Sequence, residues 1–269
     1  MIRGYLFTGV YYVLSLVYVL ASLPFLAFPG RGPVSFIIKS YTCAIRFALH
    51  YVGGIRTEVR GRENLPEGAF ILAGKHQSWG DGFLVYPEIS NLAFVTGDHL
   101  EKFPLVGGIL KKLGAIVIDT CGGGDRKAKS LAEGMEQAKA EGRRVLIYPE
   151  GHLAPPGYHF RYKPGVWHMQ KAMDVPVVAI ATNLGCFWQQ TSIAKRSGTA
   201  VIEFLPPIAP GLSKEDFMET LMRTTEQRSN ELIRQAGQTT VPKSALLPDP
   251  AKGTLAIAPP QTHTTKSAS

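Results

Sequence analysis

The chain has 269 residues, a net charge of +8 and 45% hydrophobic residues, enough apolar matter for one sizeable packed domain and incompatible with wholesale disorder. The charge favours anionic partners such as lipid headgroups or phosphorylated substrates, while no recognisable nucleic-acid-binding module accompanies it. The cysteines, Cys43, Cys121 and Cys186, show no C-x-x-C spacing, which excludes a disulfide framework and a structural zinc site; each reads as a buried small hydrophobe in a reducing compartment.

The first element is apolar. No charge lies between Arg3 and Arg31, residues 5–23 are almost wholly aliphatic and aromatic, and Pro24 ends or kinks the run. About 20 helical residues cross a ~30 Å hydrocarbon layer, so this run is just long enough to span it. Its length, and Pro24-Phe25 where a cleavage site would fall, argue against a signal peptide. A second stretch, residues 33–52, places Lys39, Arg46 and His50 among Phe36, Tyr41, Ile45, Phe47 and Leu49. It is too charged to span. It fits a helix lying in the interface with its cationic heads snorkelling to anionic headgroups, or an amphipathic helix packed on the domain. Gly53-Gly54 stop it, and residues 1–54 are expected to dock the protein to a bilayer.

From residue 55 strand and helix patterns alternate. Residues 55–59, 69–73, 92–95, 115–118, 145–148, 175–181 and 200–205 are strand candidates rich in Val and Ile. Asp125 can cap a helix with Ala128, Leu131, Met135 and Ala138 on one face, ending at Gly142. A further helix is expected over 164–172, and a last one from Ser213, with Asp216 in capping-box spacing, to Gly237. The pattern predicts an α/β domain over 55–236, a mixed sheet flanked by helices on both faces. The Pro-, Thr-, Ala- and Ser-rich segment 237–269 reads as a disordered tail.

The chemistry-bearing segment is Lys75-His76-Gln77-Ser78-Trp79-Gly80-Asp81, which directly follows the 69–73 strand, where α/β sheets build their sites. His76 and Asp81 are five apart, so a continuous helix would not put them on one face, but a turn through Gly80 would bring the carboxylate back to one imidazole nitrogen. The other nitrogen would then face a substrate hydroxyl, the base-and-orienter arrangement of acyl transfer. From spacing alone such a pair is more often a structural hydrogen bond.

The segment resembles the first block, N-H-x-S-x-x-D, of the glycerolipid acyltransferase family, the lysophosphatidic acid acyltransferases; Lys75 stands at the usual Asn. Three further blocks follow in the family's order. Gly114-Ala115-Ile116-Val117-Ile118-Asp119 is similar to the second, Tyr148-Pro149-Glu150-Gly151 to the third (F-P-E-G-T-R-S), and Val175-Pro176-Val177-Val178-Ala179-Ile180 with Asn183 and Gly185 to the fourth. Lys102-Phe103-Pro104 with Gly107 resembles the segment before the second block. The resemblance implies His76 as general base, Asp81 as its orienter, and Ser78, Lys102, Glu150 and Gly151 at substrate-binding positions. It implies transfer of a fatty acyl group from an acyl thioester, acyl-CoA or acyl carrier protein, to the free hydroxyl of 1-acylglycerol-3-phosphate, with no metal or other cofactor. The active site is expected to face the cytoplasm at the inner membrane, where such thioesters are made.

The chain departs from the pattern at two phosphate-contacting positions. Thr120 replaces the arginine that ends the second block, and His152-Leu153-Ala154 replaces Thr-Arg-Ser of the third. An arginine fork binds phosphate oxygens bidentately, so its loss matters. Arg126 and Lys127, and Arg161 and Lys163 before the 164–172 helix, are the nearby substitutes. The altered blocks also leave open another acceptor, a lyso-phospholipid or lyso-ornithine lipid, or a non-catalytic membrane lipid-binding protein. A metal-dependent hydrolase would need His76, Asp81, Glu150, His152 and His159 to gather, although no H-E-x-x-H or comparable close pair is present. Trp188 is expected to serve packing.

Overall fold

A computed structural model describes residues 2–100, 105–118, 124–190, 192–237 and 245–248. Two helices lead: α1 (Ile2–Ser22), closed by a short 3-10 turn containing Pro24, and α2 (Gly32–Tyr51). The sheet that follows contains β1 (Ile55–Arg60), β2 (Ile71–Gly74), β3 (Leu92–Gly97), β4 (Ile116–Ile118), β5 (Arg144–Ile147), β7 (Val177–Thr182) and β8 (Gly198–Phe204). Its spatial order is β1-β8-β7-β2-β5-β3-β4. All neighbours are parallel except β7 and β8, so the sheet is mixed, as expected. The helices between and after these strands are α3 (Asp81–Val85), α4 (Val106–Leu113), α5 (Gly124–Ala140), α6 (Gly165–Met173) and α7 (Lys214–Gln235). All seven expected strands and three expected helices are present within a residue or two of their sequence positions.

Side chains alternate across the sheet and build two cores. Leu72, Leu146, Val178 and Ile180 face one layer, where they meet Ile45, Ala48 and Leu49 of α2 and Phe7 of α1. Ile71, Ala73, Val145, Ile147, Ala179 and Ala181 face the other, against Met135 and Ala138 of α5, Met169 of α6 and Phe217, Leu221 and Leu232 of α7. Strand β2 lies mid-sheet between β5 and β7 and is buried at every position, which explains its uninterrupted apolar reading. Ser213 caps α7 by accepting the Asp216 N–H at 3.1 Å, and Gly237 follows the helix with φ +75°.

The leading helices show one apolar face each. Phe7 of α1 packs on the domain, and the two helices are latched by the hydroxyls of Ser15 and Tyr41, 2.7 Å apart. On α1, Tyr12, Val13, Leu16, Val17 and Leu20 are exposed, and on α2 so are Phe36, Phe47 and Tyr51. The segment Ile2–Leu26 is long and apolar enough to cross a membrane. Thus α2 is both packed and amphipathic: it buries Val34, Ile45 and Leu49 while leaving an apolar stripe outside. One of its expected snorkelling cations, Arg46, behaves otherwise, and so does the neighbouring Arg31. Arg46 pairs with Glu88 at 2.7 Å, and Arg31, at the start of α2, pairs with Glu141. Cys43, expected to be buried, is exposed on α2, whereas Cys186 is buried.

Two strands were not expected. Tyr158–Phe160 forms β6 and pairs in parallel with β9 (Ala245–Leu247). The segment read as a disordered tail therefore contains a short stretch with a partner; the rest of that tail beyond Gly237 lies outside the described residues.

Candidate active site

Strand β2 ends at Gly74, and the next two side chains leave on opposite faces of the sheet. His76 belongs to a tight turn closed by Asp81, the first residue of α3. Its Nδ1 lies 2.9 Å from Asp81 Oδ2, which also accepts the backbone N–H groups of Gln77 at 2.7 Å and Ser78 at 2.9 Å. A carboxylate already receiving two N–H donors acts as acceptor towards the ring as well. Nδ1 therefore carries the proton, and Nε2 keeps its lone pair, with no partner among the described residues. The His76 side chain is 23% exposed and that of Asp81 only 3%, so the carboxylate sits inside and the ring reaches out. This is the expected base-and-orienter geometry, and it can take a proton from an incoming alcohol.

The turn is held from below and from the side. Ser78 Oγ accepts the Gly80 N–H at 3.1 Å, and the His76 carbonyl accepts the Ala154 N–H at 2.7 Å. A Cβ on Gly80 would stand 2.6 Å from the Trp188 ring, so glycine is needed for this close packing. Trp188 in turn meets Phe7 and Tyr11 of α1 edge-on, with centroids 5.1 and 5.9 Å apart. Packing is thus the observed role of Trp188, and it joins the leading helix to the turn. Beside it, Phe7, Tyr11, Trp79, Trp188, Ile193 and Lys195 line an open groove of about 480 Å³. Trp79 is 59% exposed between the His76 turn and this groove. Cys186 nearby is no nucleophile: burial pushes its thiol up to about 12.

Lys75 goes the other way. It is 1% exposed, and its Nζ donates to Glu150 at 3.1 Å, Glu226 at 2.8 Å and the Tyr158 carbonyl at 2.7 Å. The Phe160 N–H donates to Glu150, and the Tyr162 hydroxyl to Glu226, each at 2.8 Å. Burial, outweighing the attraction of Lys75, pushes the Glu150 carboxyl up to about 7, and the nearby Glu226 charge adds to the rise. These residues tie the end of β2 to β5, β6 and α7.

The remaining sequence-derived positions divide. Ser78 and Glu150, both expected to meet substrate, have no exposed surface; Ser78 holds the turn and Glu150 holds Lys75. Gly151 is exposed with φ +69°, and a Cβ there would lie 2.6 Å from Lys163 Nζ. The ammonium of Lys163 is therefore folded over the third block, while Arg161 is also exposed. Lys102 and Thr120 lie outside the described residues, and the side chain of Arg126, on α5, is likewise not described. His76, Asp81, Glu150, His152 and His159 do not gather: among the described residues no three such side chains group as metal ligands. Sequence reasoning missed Tyr148, whose ring stacks on His76 with centroids 4.0 Å apart and planes 14° from parallel.

Residues 56–183 match the Acyltransferase family, and with the relatives that follow this makes the chain an O-acyltransferase. The 1-acyl-sn-glycerol-3-phosphate acyltransferase of Pseudomonas aeruginosa is 31% identical over 178 residues, which cover 66% of this chain and 69% of that protein. The protein of the same name from Saccharomyces cerevisiae is 23% identical over 184 residues, and the alpha form from Homo sapiens 26% over 172; each match spans 60% of the relative. The crystal structure of the 1-acyl-sn-glycerophosphate (LPA) acyltransferase, PlsC, from Thermotoga maritima superposes with a TM-score of 0.71 at 22% identity, over 86% of this chain and 96% of that one, and has the same fold. The chain belongs to the lysophosphatidic acid acyltransferase family.

Proposed function

We propose that the protein transfers a fatty acyl group from an acyl thioester, acyl-CoA or acyl carrier protein, to the free hydroxyl of 1-acylglycerol-3-phosphate, giving phosphatidic acid, with His76 as general base. The observation that carries this reading is the 2.9 Å contact of His76 Nδ1 with Asp81, which argues for a proton on Nδ1 and leaves Nε2 without a partner among the described residues at a part-exposed surface. An acceptor hydroxyl within reach of Nε2 would lose its proton as its oxygen attacks the thioester carbonyl. The collapsing intermediate would release the thiol, which takes up the proton, and no acyl-enzyme is required.

The acceptor assignment draws on the names of the relatives from P. aeruginosa, yeast and human. It is supported by Lys163 lying over Gly151, with Arg161 two residues earlier, which offers cationic contacts where the family's Arg of the third block is missing. The aromatic groove beside Trp79 is suited to an acyl chain. The apolar outer faces of α1 and α2 support docking to a bilayer, and a cytoplasmic thioester donor favours the inner membrane with the site on the cytoplasmic side. The same departures, Thr120 and His152-Leu153-Ala154, favour a second reading in which the acceptor is a different lyso-phospholipid or a lyso-ornithine lipid.

An acceptor screen separates these. Purified protein in detergent receives one labelled acyl thioester and a panel of lyso-lipids with and without a terminal phosphate. Preferential labelling of phosphatidic acid is expected. Preference for a phosphate-free acceptor would overturn the acceptor and leave the reaction type intact. Arg161→Ala with Lys163→Ala is expected to raise KM for the phosphate acceptor about tenfold or more, on the scale of one or two charge-assisted hydrogen bonds.

A further inference from the structure

The side of the imidazole away from solvent is formed by Tyr148, the residue after β5, where the family pattern quoted above carries Phe. The ring fits because Gly74 makes room, and it reaches Gly82 at ordinary contact distance. A Cβ on Gly74 would lie 2.8 Å from Tyr148 Cε1, and one on Gly82, the residue after Asp81, would lie 3.9 Å from Tyr148 Oη. Tyr148 is therefore threaded between the end of β2 and the start of α3, the two elements that carry His76 and Asp81. The hydroxyl and the carboxylate share a second property. Tyr148 Oη and Asp81 Oδ1 are both buried polar atoms with no hydrogen-bond partner among the described residues. Each alone would cost free energy, so two at the same imidazole call for an account.

We propose that Tyr148 is a positioning residue for His76: its ring face fixes the imidazole plane, and its hydroxyl donates towards Asp81 Oδ1, directly or through one water. This deepens the base reading and rests on it. Asp81 would then be saturated, with Oδ2 taking the imidazole and two backbone N–H groups and Oδ1 taking the phenol. The phenol is held un-ionised, since burial and the Asp81 charge both push it well above its ordinary range. Among the described residues the titratable groups facing the imidazole are Asp81 on α3 and Tyr148 after β5; Lys75, Glu150 and Glu226 are joined to one another on the opposite face of the sheet. A hydroxyl that draws charge from Asp81 tempers the carboxylate's hold on a protonated ring.

The test compares Tyr148→Phe, which keeps the stack and removes only the hydroxyl, with Tyr148→Leu, which removes both. For Tyr148→Phe the acid limb of the kcat/KM pH profile should move up by about half a unit, a fraction of the worth of one hydrogen bond to a charged partner since the hydroxyl acts on the ring only through Asp81, because an untempered Asp81 keeps the ring protonated to higher pH. Its kcat should fall several-fold with KM unchanged. Tyr148→Leu should lose about tenfold more, through a freed imidazole. Replacement of Tyr148 by 3-fluorotyrosine, a stronger donor of nearly the same shape, should shift the acid limb downwards, and this holds even if Tyr148→Phe does not fold. A Tyr148→Phe enzyme with the wild-type profile and kcat, or a fluorotyrosine enzyme with no shift, overturns the proposal. Either result alongside an inactive His76→Ala leaves the base intact, whereas an active His76→Ala removes the base itself.

Discussion

Lys75 and His76 are adjacent in the chain and opposite in every physical respect. Lys75 is sealed, charged and fully engaged, with two carboxylates and a carbonyl around one ammonium. His76 is half-buried and, among the described residues, engaged on one nitrogen only and set beside two polar atoms that lack partners. The strand imposes this: successive side chains beyond β2 alternate faces, so one enters the core shared with α6 and α7 and the other emerges beside α3. The buried ion pairs of Lys75 tie the strand end to its neighbours, although Glu150 Oε1 has no hydrogen bond among the described residues, whereas His76 leaves Nε2 open at the surface. The comparison predicts that damage at position 75 is read in stability and damage at position 76 in turnover.

The largest effect expected is from His76→Ala. Turnover should fall by about 10²–10⁴-fold, the usual worth of a general base, while the thermal midpoint and detergent-extracted yield stay close to wild type. Near-normal turnover would remove the proposed mechanism. Lys75→Met should do the reverse. It removes the ammonium that Glu150 and Glu226 share in the interior, and breaking a buried pair by deleting one partner costs about 3–5 kcal/mol. Denaturant or thermal unfolding would register the loss; an unchanged midpoint would mean that the two carboxylates escape their burden by taking up protons or by repacking.

Much of this was legible in the chain, and the boundary between what was and was not is physical. Central strands such as β2 and β7 announce themselves because both of their faces are buried. The His76–Asp81 contact was legible because it closes within five residues and Gly80 supplies the turn. The Lys75 cluster was not, since Glu150 and Glu226 come from elements 75 and 151 residues away, and only the fold brings them together. Glu150 was consequently read as a substrate contact from its place in a motif, when its carboxylate turns inward. Tyr148 escaped notice for the same reason: stacking on His76 is set by the β2–β5 pairing, which no local pattern encodes. The short elements α3, α4 and β6 hid behind breakers, with Gly107-Gly108 inside α4 and Pro155-Pro156-Gly157 just before β6.

Asp81→Asn sharpens the comparison from the His76 side. The amide oxygen can take the place of Oδ2 and keep the N–H groups of Gln77, Ser78 and the ring, so the turn should survive, but the negative charge that stabilises a protonated imidazole is lost. Turnover should fall by roughly 10- to 1000-fold, less than for His76→Ala, with KM nearly unchanged. A single-turnover assay with saturating thioester checks this, and a loss confined to KM would mean that Asp81 serves binding instead.

Glu150→Gln sharpens it from the Lys75 side, with the smallest expected effect. The amide oxygen can still accept the Phe160 N–H, and Lys75 keeps Glu226 and the Tyr158 carbonyl, so only one buried charge disappears. The sign follows from the raised carboxyl. A group that binds its proton more tightly when folded stabilises fully below its ordinary value of 4.5, and that contribution is lost as pH climbs to about 7. Wild-type stability should therefore carry a downward component of about 1–3 kcal/mol across that window, and Glu150→Gln should lack it. Unfolding curves of both proteins from pH 4.5 to 8 test this; parallel pH dependences would place the Glu150 charge comfortably within the reach of Lys75 and shift the burden of the cluster to Glu226.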